Sequence, residues 1–105
     1  MNIFFTGATG FTGSHVIPLL LKKGYKVRCL YRQGSDRSVL PQPEIEWVLG
    51  DLSDSQALSA SMRETDALIN IASLGFGHAD SIVRAAKETG IQRAVFVVRP
   101  LFSPN

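Results

Sequence analysis

Apolar positions along the chain follow two rhythms in turn, short continuous runs and stretches with helical spacing. The run Ile3-Phe4-Phe5 predicts a strand over Asn2–Thr6. Helical spacing then predicts a helix from about Thr12 to Lys23, with Gly24 as its stop and a kink or loosened turn at Pro18. Lys26–Tyr31 reads as a second strand. Residues 33–43 hold Gly34, Ser35, Pro41 and Pro43 and read as loop, with one helical turn over Arg37–Leu40. A third strand is expected over Ile45–Leu49, then a helix over Asp54–Arg63 with Ala57, Leu58 and Met62 on one face. Ala67–Ala72 is continuously apolar apart from Asn70, as in the centre of a parallel sheet. A helix over Ala79–Thr89 follows, with Ile82, Val83 and Ala86 toward the sheet and Gly90 as its stop. Strand alternates with helix, the pattern of a parallel α/β fold.

The junction between the first strand and the first helix reads Thr6-Gly7-Ala8-Thr9-Gly10-Phe11-Thr12-Gly13. Strand, glycine turn, helix is the context in which such a motif carries chemistry. Gly7 permits a tight turn off the strand, Gly10 lets backbone approach a pyrophosphate, and Gly13 lets the helix pack closely. The free N–H groups and positive dipole end of the helix converge on the same point, where an anion would sit. Thr6, Gly7, Thr9, Gly10, Phe11, Thr12 and Gly13 are therefore candidate dinucleotide-binding positions. His15, one turn into the helix, reads as a surface or packing residue, since no partner acid or nucleophile is recognisable nearby.

The spacing Thr-Gly-x-x-Gly-Phe-x-Gly, so near the start, resembles the short-chain dehydrogenase/reductase superfamily. More narrowly it resembles the extended and atypical branch, which holds the NAD(P)-dependent epimerases, dehydratases and reductases. Residues 90–97, Gly-Ile-Gln-Arg-Ala-Val-Phe-Val, resemble that family's approach to its fifth strand. The resemblance covers about residues 1–97 and implies a three-layer Rossmann-type α/β fold, a parallel sheet of order 3-2-1-4-5. It also implies that Asp51 accepts from the adenine amino group while Leu52 covers the ring. Asp51 could equally cap the following helix, although Ser53 and Asp54 are better placed for that. By the same resemblance Ala72, at the end of the fourth strand, is kept small beneath the cofactor ribose. The loop 74–77 would cover the nicotinamide half.

The tip of the second strand selects the cofactor. An Asp or Glu there would bond a ribose 2′-hydroxyl and repel a 2′-phosphate. Positions 30–33 carry no acid; Arg32 stands there, with Ser35 and Arg37 beyond, able to offer a charge-assisted fork to phosphate. NADP is thereby favoured over NAD. Arg32 stacked on adenine, or merely facing solvent, is the plainer alternative.

Composition adds little to this. The 105 residues are 45% hydrophobic and 19% charged, one domain's worth of an ordinary globular chain. A net charge of +2 from scattered basic residues gives nucleic-acid binding no support. One cysteine, Cys29, fits a reducing compartment. The short apolar run at the start reads as neither a secretion signal nor a membrane span, so a cytoplasmic protein is expected. No Cys/His/Asp/Glu spacing reads as a metal site.

The resemblance stops near residue 97. It implies a Ser/Thr pair at the end of the fifth strand and a later Tyr-x-x-x-Lys, with Tyr as general acid/base. Residues 97–105, Val-Val-Arg-Pro-Leu-Phe-Ser-Pro-Asn, hold neither, and neither Tyr25 nor Tyr31 has a Lys four residues on. The expectation is a cofactor-binding domain over 1–98, inactive alone, with 99–105 a tail foreign to the family. Its source would be the amino-terminal part of a longer enzyme. A one-base deletion would account for it. In the codon choice GTA GTA CGA CCG CTA TTT TCA CCC AAC, one T inserted after the first GT gives Val-Ser-Thr-Thr-Ala-Ile-Phe-Thr-Gln. A chosen domain boundary, or a naturally short protein, would also produce such an end. An NADP-sensing module and a non-functional remnant are the alternative functions. Ala94–Val98 would then be an exposed apolar edge, prone to self-association.

Overall fold

β1 (Asn2–Thr6) is buried at four of its five positions, and its side chains supply both sides of the core in turn. Phe4 points to one face of the sheet, where it meets Leu30, Leu58, Met62, Leu68, Ile82 and Ala85. Phe5 points to the other, with Ala8, Ile17, Val27, Cys29, Leu40 and Ile45. Such two-sided burial requires helices on both faces, and the chain supplies them.

The computed structural model describes residues 1–51, 54–71 and 78–96. After β1 come α1 (Phe11–Lys22), β2 (Lys26–Tyr31), a 3₁₀ turn (Arg37–Val39), β3 (Glu46–Leu49) and α2 (Ser55–Met62). β4 (Ala67–Asn70), α3 (His78–Thr89) and β5 (Arg93–Phe96) complete it. The five strands form one parallel sheet of order β3-β2-β1-β4-β5. α1 covers the Phe5 face and α2 with α3 covers the Phe4 face. This is the Rossmann arrangement expected from the alternation of elements.

Small differences from the expected elements have local causes. Ile45 is buried but bonds back to Gln42 O in a turn, so β3 begins one residue later. In α3 it is Ala85, not Val83, that joins Ile82 against the sheet, while Val83 is 40% exposed. Positions i and i+3 share a face; a neighbour is turned about 100° away. α1 continues through Pro18. No helix of the described residues is long and apolar enough to cross a membrane.

Cys29 is fully buried in β2, and burial pushes its thiol up to about 12 from 9.0. The folded chain should leave Cys29 unmodified by a thiol reagent at pH 8, with reaction only on unfolding. The unfolded thiol ionises first, so stability should fall as pH rises from about 9 toward 12. Reaction of the native protein as fast as a free thiol would contradict this placement.

Candidate functional site

All five strands run the same way, so the carboxyl ends of β1, β2, β3 and β4 lie along one edge of the sheet. β1 is the switch point. The chain leaves it outward to β2 and β3, then returns to place β4 on its other side. In open α/β sheets ligands bind in the crevice at that point.

The glycine segment fills the mouth of the crevice. Gly7 has φ +83°, a left-handed conformation that a side chain would strain. Gly10 N–H closes the turn on Gly7 O at 3.3 Å. Gly10 is also the N-cap of α1, with extended backbone and no side-chain cap, and no acid occupies the first turn. The first-turn N–H groups therefore face the crevice edge with no side-chain acceptor supplied by the cap, and the positive dipole end is uncompensated. That arrangement suits an anion.

Gly10 and Gly13 differ sharply in why they are small. A Cβ on Gly13 would lie 2.5 Å from Gly7 O, 2.6 Å from Ala8 O and 2.8 Å from Ala8 Cα, all backbone. A Cβ on Gly10 would meet only Gly7 O, at 3.6 Å, an ordinary contact. Gly13 is required by the chain's own packing. At Gly10 the fold leaves room, and a cradle that a Cβ would fill is what a phosphate group fits.

Thr6 lies beneath the turn, buried, and its hydroxyl donates to Asn70 Oδ1 on β4. Ile71 N–H bonds to Thr6 O at 3.0 Å, so β1 and β4 are tied at the point where the turn begins. Thr9 is half-buried, while Gly10, Phe11 and Thr12 are exposed. Phe11 packs its ring against His15 at 4.5 Å, and Ser14 and His15 both engage Phe11 O. His15 lies on the exposed surface of α1.

Arg32 follows β2 directly and is exposed, in a turn closed by Ser35 N–H on Arg32 O. Asp51 follows β3 and is also exposed. Asp54 caps α2, accepting from Ala57 N–H at 3.1 Å, so that role does not fall to Asp51. The structure thus brings the glycine turn, Arg32 and Asp51 to one edge. Leu52, Ser53, Ala72, the loop 74–77 and residues 97–105 lie outside the described residues.

Three features lie beyond the motif and the apolar spacing. Asn70 is fully buried as the partner of Thr6. An Asn within an apolar strand is the signal for it, because a buried amide must be bonded. Arg37 stacks on Tyr31, and Arg28 reaches across to the end of α2. Both depend on contacts made across the fold, and no spacing announces them.

Comparison with known proteins agrees with this geometry. Residues 7–101 match the profile of a family described as NAD(P)H-binding. A Synechocystis protein named as a putative dihydroflavonol 4-reductase is 34% identical, covering 89% of this chain but 31% of its own length. Sterol-4-alpha-carboxylate 3-dehydrogenase, decarboxylating, of Dictyostelium discoideum is 32% identical over 83% of this chain and 26% of its own. The chain therefore spans about a third or less of the relatives it matches. Among solved structures, a nucleoside-diphosphate-sugar epimerase from Pseudomonas aeruginosa superposes with a TM-score of 0.82 at 20% identity, covering 91% of this chain and 32% of that one. A wide-type short-chain dehydrogenase/reductase from Veillonella parvula, in complex with NADP, gives 0.76 at 17%, covering 90% and 46%.

Proposed function

The chain belongs to the NAD(P)H-binding family, among relatives of the extended short-chain dehydrogenase/reductase and epimerase type, and from that premise we propose that it is an NADP-binding domain of an oxidoreductase. The observation that carries the reading is the uncapped, acid-free start of α1 behind Gly10, a glycine whose smallness the fold itself does not require. The backbone of residues 7–13 holds the pyrophosphate. Arg32, with Ser35 and Arg37 nearby, takes the 2′-phosphate by charge-assisted hydrogen bonds. Asp51 accepts from the adenine amino group, Leu52 covers the ring, and Ala72 leaves room beneath the ribose. A nicotinamide bound in this position supplies hydride transfer. The chain's own residues bind and orient it. No Tyr-x-x-x-Lys occurs in residues 1–105, and the role we assign to these residues is binding and orientation of the dinucleotide.

The test is Gly10→Ala. Its Cβ has space in the fold, so the melting temperature should fall by only about 2–4 °C, the cost of roughly 0.5 kcal/mol for alanine in place of glycine at the N-cap of α1. Affinity for NADP, read by isothermal titration calorimetry, should drop about tenfold or more, because a methyl group displaces phosphate from charge-assisted N–H contacts. Unchanged affinity in Gly10→Ala would remove the pyrophosphate from this turn.

β5 is the last strand of the sheet among the described residues, and Val95 on it is 54% exposed. Its outer edge invites pairing. The 105-residue chain should self-associate as concentration rises, and Val95→Lys should reduce that in sedimentation velocity. A concentration-independent monomer would contradict it.

A further inference from the structure

Beyond the glycine turn, the tip of β2 carries an arrangement of three side chains. Trp47 on β3 lies opposite Cys29 in register, so it shares the α1 face of the sheet with Tyr31, two residues further along β2. The two rings meet edge to face, 5.9 Å apart at 88°. Tyr31 is thereby held from one side. Arg37 places its guanidinium carbon 4.4 Å from the centre of the same ring, over its face.

Arg37 is itself delivered by a short element fixed at both ends. Asp36 caps the 3₁₀ turn, accepting from both the backbone N–H and the hydroxyl of Ser38. Those two bonds hold the Asp36 carboxyl below its usual range. Leu40, just after the turn, is buried in the core on the α1 face. The turn is thus anchored, and it carries Arg37 over the end of β2, directly beside the residue that precedes Arg32.

We propose that Tyr31 is a positioning residue for coenzyme choice, its ring holding the Arg37 guanidinium at the tip of β2 as the second cation, with Arg32, of a 2′-phosphate site. The inference rests on the dinucleotide reading above and adds to it which side chain makes the site rigid. A free arginine on a loop would have to be ordered at the moment of binding, at a cost in side-chain entropy. Stacking on an aromatic face holds it in place beforehand, and the guanidinium keeps its in-plane N–H donors for phosphate. NAD lacks the 2′-phosphate and gains nothing from either arginine, so the ring acts on the ratio of the two affinities.

The experiment is calorimetric titration of the 105-residue chain with NADP and, separately, NAD. Tyr31→Leu should lower NADP affinity about three- to tenfold and leave NAD affinity alone, a loss of the size of one cation–π contact. Tyr31→Phe, which keeps the ring, should preserve the ratio. Arg37→Gln should shrink the ratio as Tyr31→Leu does, and the double variant should lose no more than Arg37→Gln alone, since the ring acts only through that guanidinium. If Tyr31→Leu does not fold, Arg37→Gln alone decides, because Arg37 is exposed and off the core. A ratio unchanged in Tyr31→Leu or in Arg37→Gln, or equal loss of both coenzymes, overturns the inference while the dinucleotide reading stands. A wild-type chain that binds neither coenzyme overturns both.

Discussion

Gly13→Ala is expected to lower the melting temperature of the chain by about 4–24 °C. The added methyl would sit at 2.5–2.8 Å from three backbone atoms of Gly7 and Ala8, far inside van der Waals contact. A flexible side chain could swing away; a backbone turn fixed by Gly7 at φ +83° and by the Thr6–Asn70 bond beneath it cannot easily do so. Overpacking of this kind costs about 1–3 kcal/mol, and each kcal/mol shifts a domain of this size by roughly 4–8 °C. The turn must open or α1 must slide outward, so dinucleotide affinity should fall together with stability. Thermal unfolding by circular dichroism checks it, with Gly10→Ala as the paired variant that loses affinity with only a small loss of stability. A melting temperature within about 2 °C of the parent would mean that the turn relaxes at little cost, contrary to the packing described.

The second large effect is expected from Arg28→Met. Arg28 Nη1 donates to Ser61 O at 2.7 Å and to Arg63 O at 2.6 Å, satisfying backbone carbonyls where α2 ends. Its Nε lies 3.1 Å from Glu46 Oε2 on β3. One side chain thus joins β2, β3 and α2. Methionine keeps most of the apolar stem and removes the donors, so the loss should come from unsatisfied carbonyls, about 2 kcal/mol in urea unfolding. Glu46→Gln should cost less than about 1 kcal/mol, since the Glu46 side chain is 62% exposed and its attraction is screened by water. Equal losses in the two variants would place the stabilisation in the ion pair instead of the helix end.

Backbone architecture and side-chain partnership were not equally legible in the chain. The alternation of elements and the glycine turn follow from apolar period and from local backbone demands that a few neighbouring residues settle among themselves. Ile3-Phe4-Phe5, the helical spacing after it and the glycines at 7, 10 and 13 are of this kind. Which helix residues face the sheet is legible to within two positions. The spacing of α3 puts Ile82 and Ala86 correctly against the sheet, and it puts Val83 where Ala85 belongs. Two apolar residues near one another on a helix look equivalent in sequence, and only the direction from which the sheet approaches distinguishes them.

The parallel Rossmann architecture, the glycine turn at the start of α1 and the basic residues at the tip of β2 were all present in the order of residues. Folding was needed to separate Gly13, closed in by backbone, from Gly10, which has room on its own account. It was needed also to pair Thr6 with Asn70, Arg28 with the end of α2, and Arg37 with Tyr31. The division has one physical cause. Turns and helix starts are governed by torsions and hydrogen bonds within a few residues, which the chain carries wherever it goes. Space around a Cβ and partners for a buried polar group are set by segments up to 64 positions away, as between Thr6 and Asn70, and exist only once the sheet has formed.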